Sequence, residues 1–148
     1  SGTNLTGVNT SYGGYLVMPA GTWSGYSYRR SSGIDITSDI SVAGPISIIS
    51  NNGSIWFNAS LTSSLSGAGV LLKASGYINN EPNKSIQTNN GSITLWADSD
   101  GNGDGWIGLQ TGTRLNSANG STSQSSGGGA ITLAGGSSAD TSPPPAIT

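Results

Sequence analysis

The chain's side-chain carboxyl groups belong to Asp35, Asp39, Glu81, Asp98, Asp100, Asp104 and Asp140. Asp98, Asp100 and Asp104 fall with Asn102 at alternate positions of one loop, Asp98-Ser99-Asp100-Gly101-Asn102-Gly103-Asp104-Gly105. Oxygen ligands at that spacing, with glycines that allow a tight curl, are what a calcium loop requires. The first six positions follow the opening of a helix–loop–helix calcium site. The twelfth is Leu109, where that site needs a bidentate glutamate, and no helix signal flanks the loop. The other reading is a solvated turn between two strands. Residues 60–66, 38 positions earlier, carry no acid, so calcium is not expected as a device of every repeat.

Other chemistry is poorly supplied. There is no His and no Cys, which removes the ordinary catalytic triad, imidazole and thiolate metal sites, thiol catalysis and disulfides. Glycoside hydrolysis needs two carboxyl groups flanking one bond. Asp35 and Asp39 come nearest in sequence, but they flank a turn and read as solvated. Enzymatic activity is not expected. The five basic residues, Arg29, Arg30, Lys73, Lys84 and Arg114, form no stripe, and the net charge is −2, so nucleic acid is set aside. No apolar run approaches the length of a bilayer span, and no basic segment precedes an apolar one at the start, so the chain reads as mature or excised material with no membrane insertion. Seven Asn-x-Ser/Thr triplets occur, which the abundance of these residues explains.

The aromatic residues are the remaining candidates for contact. Tyr12, Tyr15, Trp23, Tyr26 and Tyr28 crowd the first thirty positions. They read as the cap of a repeat array, as a surface for a glycan or protein (with Trp23, Tyr26 and Tyr28 as ligand-binding residues), or as a contact to a neighbouring subunit. Trp56 is the middle residue of an alternating triplet and is expected to point outward, either to stack on a sugar or partner or to pack beneath the loop at 60–69. Trp96 sits at a different position of its repeat. Pro143, Pro144 and Pro145 cannot donate to a ladder and read as an extended linker or an assembly arm.

What must position these residues is a set of short strands. Apolar content is 33%, charge only 8%, and Gly supplies 24 residues, a mixture suited to tight turns. Alternating triplets recur: Ile34-Asp35-Ile36, Ile40-Ser41-Val42, Ile46-Ser47-Ile48, Ile55-Trp56-Phe57, Ile93-Thr94-Leu95, Ile107-Gly108-Leu109 and Ile131-Thr132-Leu133. Each gives one aliphatic and one largely polar face. Gly53-Ser54-Ile55, Gly91-Ser92-Ile93 and Gly129-Ala130-Ile131 begin 38 residues apart. Asn51-Asn52-Gly53-Ser54-Ile55 returns as Asn89-Asn90-Gly91-Ser92-Ile93, and Ile48 returns as Ile86. The interval predicts an all-β solenoid with coils of 38 residues, in which Gly53, Gly91 and Gly129 mark one corner and Ile55, Ile93 and Ile131 stack in one ladder. A β-sandwich is the alternative. The expected organisation is an atypical region over 1–32, repeats over 33–140 and a Pro-rich tail over 141–148.

Residues 89–105, Asn-Asn-Gly-Ser-Ile-Thr-Leu-Trp-Ala-Asp-Ser-Asp-Gly-Asn-Gly-Asp-Gly, followed by Trp106-Ile107-Gly108-Leu109, resemble repeats of very large bacterial surface proteins of the filamentous-haemagglutinin-like kind. The resemblance covers roughly 33–140. It implies a right-handed parallel β-helix, secretion, and a role in adhesion or a surface filament. The Asn-Pro-Asn tripeptides of that family's export domain are missing, with only Glu81-Pro82-Asn83 close, so the resemblance places the segment in a shaft. No catalytic or binding residue carries over. The expected function is structural: the shaft of an extracellular bacterial adhesin, or a subunit of a head-to-tail filament whose main partner is itself. A carbohydrate-binding module using the Tyr/Trp cluster at 12–28 is the alternative.

Overall fold

Residues 3–6, 14–18, 23–119 and 127–137 are described by a computed structural model, and every regular element in them is a β-strand. Alternation makes the strands. Ile34-Asp35-Ile36, Ile40-Ser41-Val42 and Ile55-Trp56-Phe57 each bury the first and third residue and turn the middle one outward.

The strands build three sides. The first carries, in spatial order, β1 (Thr3–Thr6), β3 (Trp23–Arg30), β6 (Ile46–Ser50), β9 (Val70–Ala74), β12 (Ile93–Ala97) and β14 (Ile131–Gly135). The second carries β2 (Tyr15–Leu16), β4 (Ile34–Ile36), β7 (Ile55–Phe57) and β10 (Ile78–Asn80). The third carries β5 (Ile40–Val42), β8 (Leu61–Ser63), β11 (Ser85–Thr88) and β13 (Arg114–Asn116). The chain visits the sides in turn, and every strand pairs in parallel with its counterpart one coil away. This is the expected right-handed parallel β-helix, with about three turns. A sandwich would pair its strands antiparallel.

The core is a bundle of ladders. On the first side Tyr26, Ile46, Val70, Ile93 and Ile131 stack in order, and beside them Tyr28, Ile48, Leu72, Leu95 and Leu133. Ile34, Ile55 and Ile78 continue to Ile107 on the second, and Ile40, Leu61, Ile86 and Leu115 line the third. Burying each inward Ile or Leu contributes about 1.5–3 kcal/mol.

Coil length departs from the sequence expectation. Tyr26, Ile46, Val70 and Ile93 follow one another at 20, 24 and 23 residues, and only Ile93 to Ile131 spans 38. Ile55 does not share a ladder with Ile93. It lies on the second side, between Ile34 and Ile78. Nor does Ile48 share one with Ile86, which faces Leu61 and Leu115. The physical reason is that every corner asks for the same thing: a tight polar turn, then an inward aliphatic residue. Asn51-Asn52-Gly53-Ser54 turns from the first side to the second, while Asn89-Asn90-Gly91-Ser92 turns from the third to the first.

Close backbone approach fixes the corners. A Cβ on Gly91 would run into the Ala68 carbonyl, and one on Gly129 into that of Gly91, whereas Gly53 sits over Gly33 at a different corner. Inward hydroxyls satisfy corner carbonyls that the ladders leave over. Ser63 Oγ donates to Gly44 O at 2.6 Å, Thr88 Oγ1 to Gly91 O at 2.5 Å and Ser117 Oγ to Gly129 O at 2.6 Å.

Candidate functional site

Two surfaces stand out, one on the flank of the second side and one at the coil end carrying β14. On the flank, Asp35 and Trp56 are the outward residues of β4 and β7, and Tyr15 of β2 is in register with Asp35. Tyr77 and Trp106 directly precede the inward residues Ile78 and Ile107, and so reach the flank from the corner between the first two sides. Tyr15, Gly33, Ile34, Asp35, Ser54, Trp56 and Tyr77 line a cleft of about 300 Å³. Its rings are braced. Tyr77 stacks on Trp106 with centroids 4.8 Å apart and meets Trp56 nearly at right angles at 6.1 Å. Ser54 Oγ accepts the Tyr77 amide at 3.0 Å, which anchors the backbone under that ring. Asp35 Oδ1 accepts Asn58 Nδ2 at 2.8 Å. Burial pushes the Asp35 carboxyl above its usual range, the Asn58 hydrogen bond opposes this, and the Glu81 charge adds to it. Asn58 Oδ1 is buried with no hydrogen-bond partner.

At the β14 end, residues with inward register stand uncovered. Ile131 and Leu133 are 46% and 45% exposed, although their partners Ile93 and Leu95 are fully buried. Trp106 at 52% and Leu109 at 39% extend the same apolar surface. Among the described residues β14 pairs only with β12, so its outer backbone edge is open. The other large exposed apolar side chains are Tyr15 and Val17 in the first coil and Leu65 at a corner. Exposure of this kind therefore concentrates at the two ends.

Tyr26 and Tyr28, read from sequence as ligand-binding, point inward onto Ile46 and Ile48 and are buried, so neither ring face is open to a ligand. Burial raises the Tyr26 phenol to about 12, with a further push from Tyr28. Trp23 packs partly buried against the same core. The aromatic crowding thus serves packing at Tyr26 and Tyr28, and the rings that gather outside are Tyr15, Trp56, Tyr77 and Trp106. Trp96 faces outward from β12 yet is fully buried. Lys73 Nζ lies 4.0 Å over its ring, and its indole N–H donates to Gly136 O at 2.8 Å.

The Asp98–Asp104 loop turns its oxygens on itself. Asp98 Oδ1 accepts Gly103 N at 2.9 Å, Asp100 Oδ2 accepts Asn102 Nδ2 at 2.9 Å, and Asn102 Oδ1 accepts Asp104 N at 2.8 Å. Among the described residues no three acidic side chains converge as metal ligands would. Asp39 Oδ1 accepts the Ser60 amide at 2.8 Å, at the turn that follows β4, while Asp35 belongs to the flank cleft. Pro143, Pro144 and Pro145 lie outside the described residues.

Fold and surfaces define a β-solenoid repeat protein. Compared with protein-family models, curated proteins and solved structures, the chain has no match.

Proposed function

We propose that this chain is structural, a β-helical shaft segment of an extracellular bacterial surface protein of the filamentous-haemagglutinin-like kind, and that its coils continue end to end through a second copy. The observation that carries the reading is the open β14 end, where Ile131 and Leu133 hold core register without a covering coil. An exposed strand edge beside apolar residues is a template for another strand. A head-to-tail contact of this type propagates unless its rotation closes a ring. The sequence resemblance and the Ser/Thr/Asn/Gly-rich, cysteine-free composition support the extracellular assignment.

The test is light scattering across a concentration series for the native chain and for Leu133→Asp. Leu133 is half-exposed, so the carboxylate spares the folded coil while spoiling the end. The reading expects mass to grow with concentration in the native chain and to stay monomeric in the variant. A native chain that remains monomeric at every concentration refutes it.

A further inference from the structure

We propose that the flank cleft between Tyr15 and Trp56 binds pyranose rings of a polysaccharide whose chain runs along the solenoid axis toward Trp106. A pyranose offers an apolar C–H face and a rim of hydroxyls. A site for it needs an aromatic face and a few polar groups beside it. The cleft has both: rings at Tyr15, Trp56 and Tyr77, with Ser54 and Asp35 between them. Its volume of about 300 Å³ stands at the lower end of small-ligand sites, which suits one or two rings held with the rest of the chain outside.

The arrangement is directional. Tyr15, Asp35 and Trp56 occupy three successive strands of one side, and Tyr77 and Trp106 occupy the next two coils. At the strand spacing of about 4.8 Å, the strip from Tyr15 to Trp106 is roughly 19 Å long. An extended chain of sugars lying along the axis meets an aromatic group at most steps. The strip is also preformed, because Tyr77 is held between Trp106 and Trp56. Rings already fixed lose little freedom on binding.

Aromatic rings beside a carboxyl group could also suggest a site for a quaternary ammonium ion. The surroundings of Asp35 favour the neutral ligand. Burial works against its negative charge, and an uncharged hydroxyl-rich ligand does not require that charge. The inference is independent of end-to-end stacking. The strip runs along the side of the shaft, and its loss leaves the β14 end unchanged.

The test is affinity electrophoresis and tryptophan fluorescence with laminarin, xylan, mannan, dextran and chitohexaose, with choline chloride as the cationic probe. Native protein, Trp56→Ala, Tyr15→Ala and the corner variant Leu65→Ser are compared, with circular dichroism to confirm folding. The proposal expects at least one glycan to retard the native chain and shift its emission. Trp56→Ala and Tyr15→Ala should each weaken that binding by about tenfold or more, as truncation of an aromatic anchor does, and Leu65→Ser should leave it unchanged. Tyr15 is 50% exposed, so its removal keeps the test valid should Trp56→Ala fail to fold. The proposal is overturned if none of the glycans binds, if binding survives both aromatic substitutions, or if choline binds in a Trp56-dependent way and the sugars do not.

Discussion

Replacing Gly91 by alanine should be far more damaging than replacing Gly33 or Gly67, and the stacked corners set the order. An added Cβ on Gly91 would meet the Ala68 carbonyl carbon and oxygen and come to 2.9 Å from Gly69 N. All three are backbone atoms of the neighbouring coil, so no side chain can swing away. Overpacking of a close-packed site costs ~1–3 kcal/mol, and a rigid obstacle puts Gly91 at the upper end. For a chain of this size, ~3 kcal/mol lowers the melting temperature by roughly 6–12 °C. Gly67 has open space around it but φ of +82°, so alanine there meets only the left-handed backbone penalty of ~1–2 kcal/mol. Gly33 has neither problem, since its nearest neighbour, Ser54 O, is 3.6 Å away, and alanine should be neutral or stabilise by ~0.4–1 kcal/mol. Thermal and urea unfolding of the three variants, followed by circular dichroism, gives the order directly. If Gly91→Ala is as stable as the native chain, or Gly33→Ala is as damaged as Gly91→Ala, the coil-on-coil register is wrong.

Three further outcomes are expected. Thr88→Val keeps the shape of a buried side chain but removes the donor to Gly91 O, so it should cost ~1–3 kcal/mol in urea unfolding while Thr88→Ser stays close to native. Asp35 has a folded pKa above its unfolded one, so its carboxylate destabilises the fold increasingly as pH rises through that range. Asp35→Asn should therefore raise the melting temperature at pH 7, and the gain should vanish below the unfolded value of 3.8. Because the Asp98–Asp104 loop is closed by its own amides, adding calcium or a chelator should leave the melting curve unmoved, and a rise of several degrees with calcium would show that the loop opens to bind it.

Much of the fold was legible because a half-buried strand announces itself by alternation. Ile34-Asp35-Ile36 and Ile55-Trp56-Phe57 bury the residues that the period of two assigns, and Trp56 faces outward as its middle position requires. Coil length was not legible. Asn-Asn-Gly-Ser-Ile serves two different corners, since a tight turn followed by an inward isoleucine satisfies either. The 38-residue interval is a true coil only from Ile93 to Ile131, where residues 117–130 lengthen the path between sides. The roles of the tyrosines had a signal that crowding obscured. Tyr26 and Tyr28 are two apart and continue the face of Ile46 and Ile48, so their periodicity already pointed inward. Tyr77 and Trp106 could be placed on the flank only once the second side was known. Each directly precedes an inward isoleucine, the offset that Ser54 and Gly33 share, but their coils differ in length.

The central claim is that the β14 end is continued by another coil, and cryo-electron microscopy of the native chain at near-physiological salt tests it most directly. The account predicts unbranched rods of uniform width, in which the strand spacing of about 4.8 Å runs without interruption from one copy into the next. Single particles of one solenoid at all concentrations, or copies joined side by side with their ends free, would contradict it.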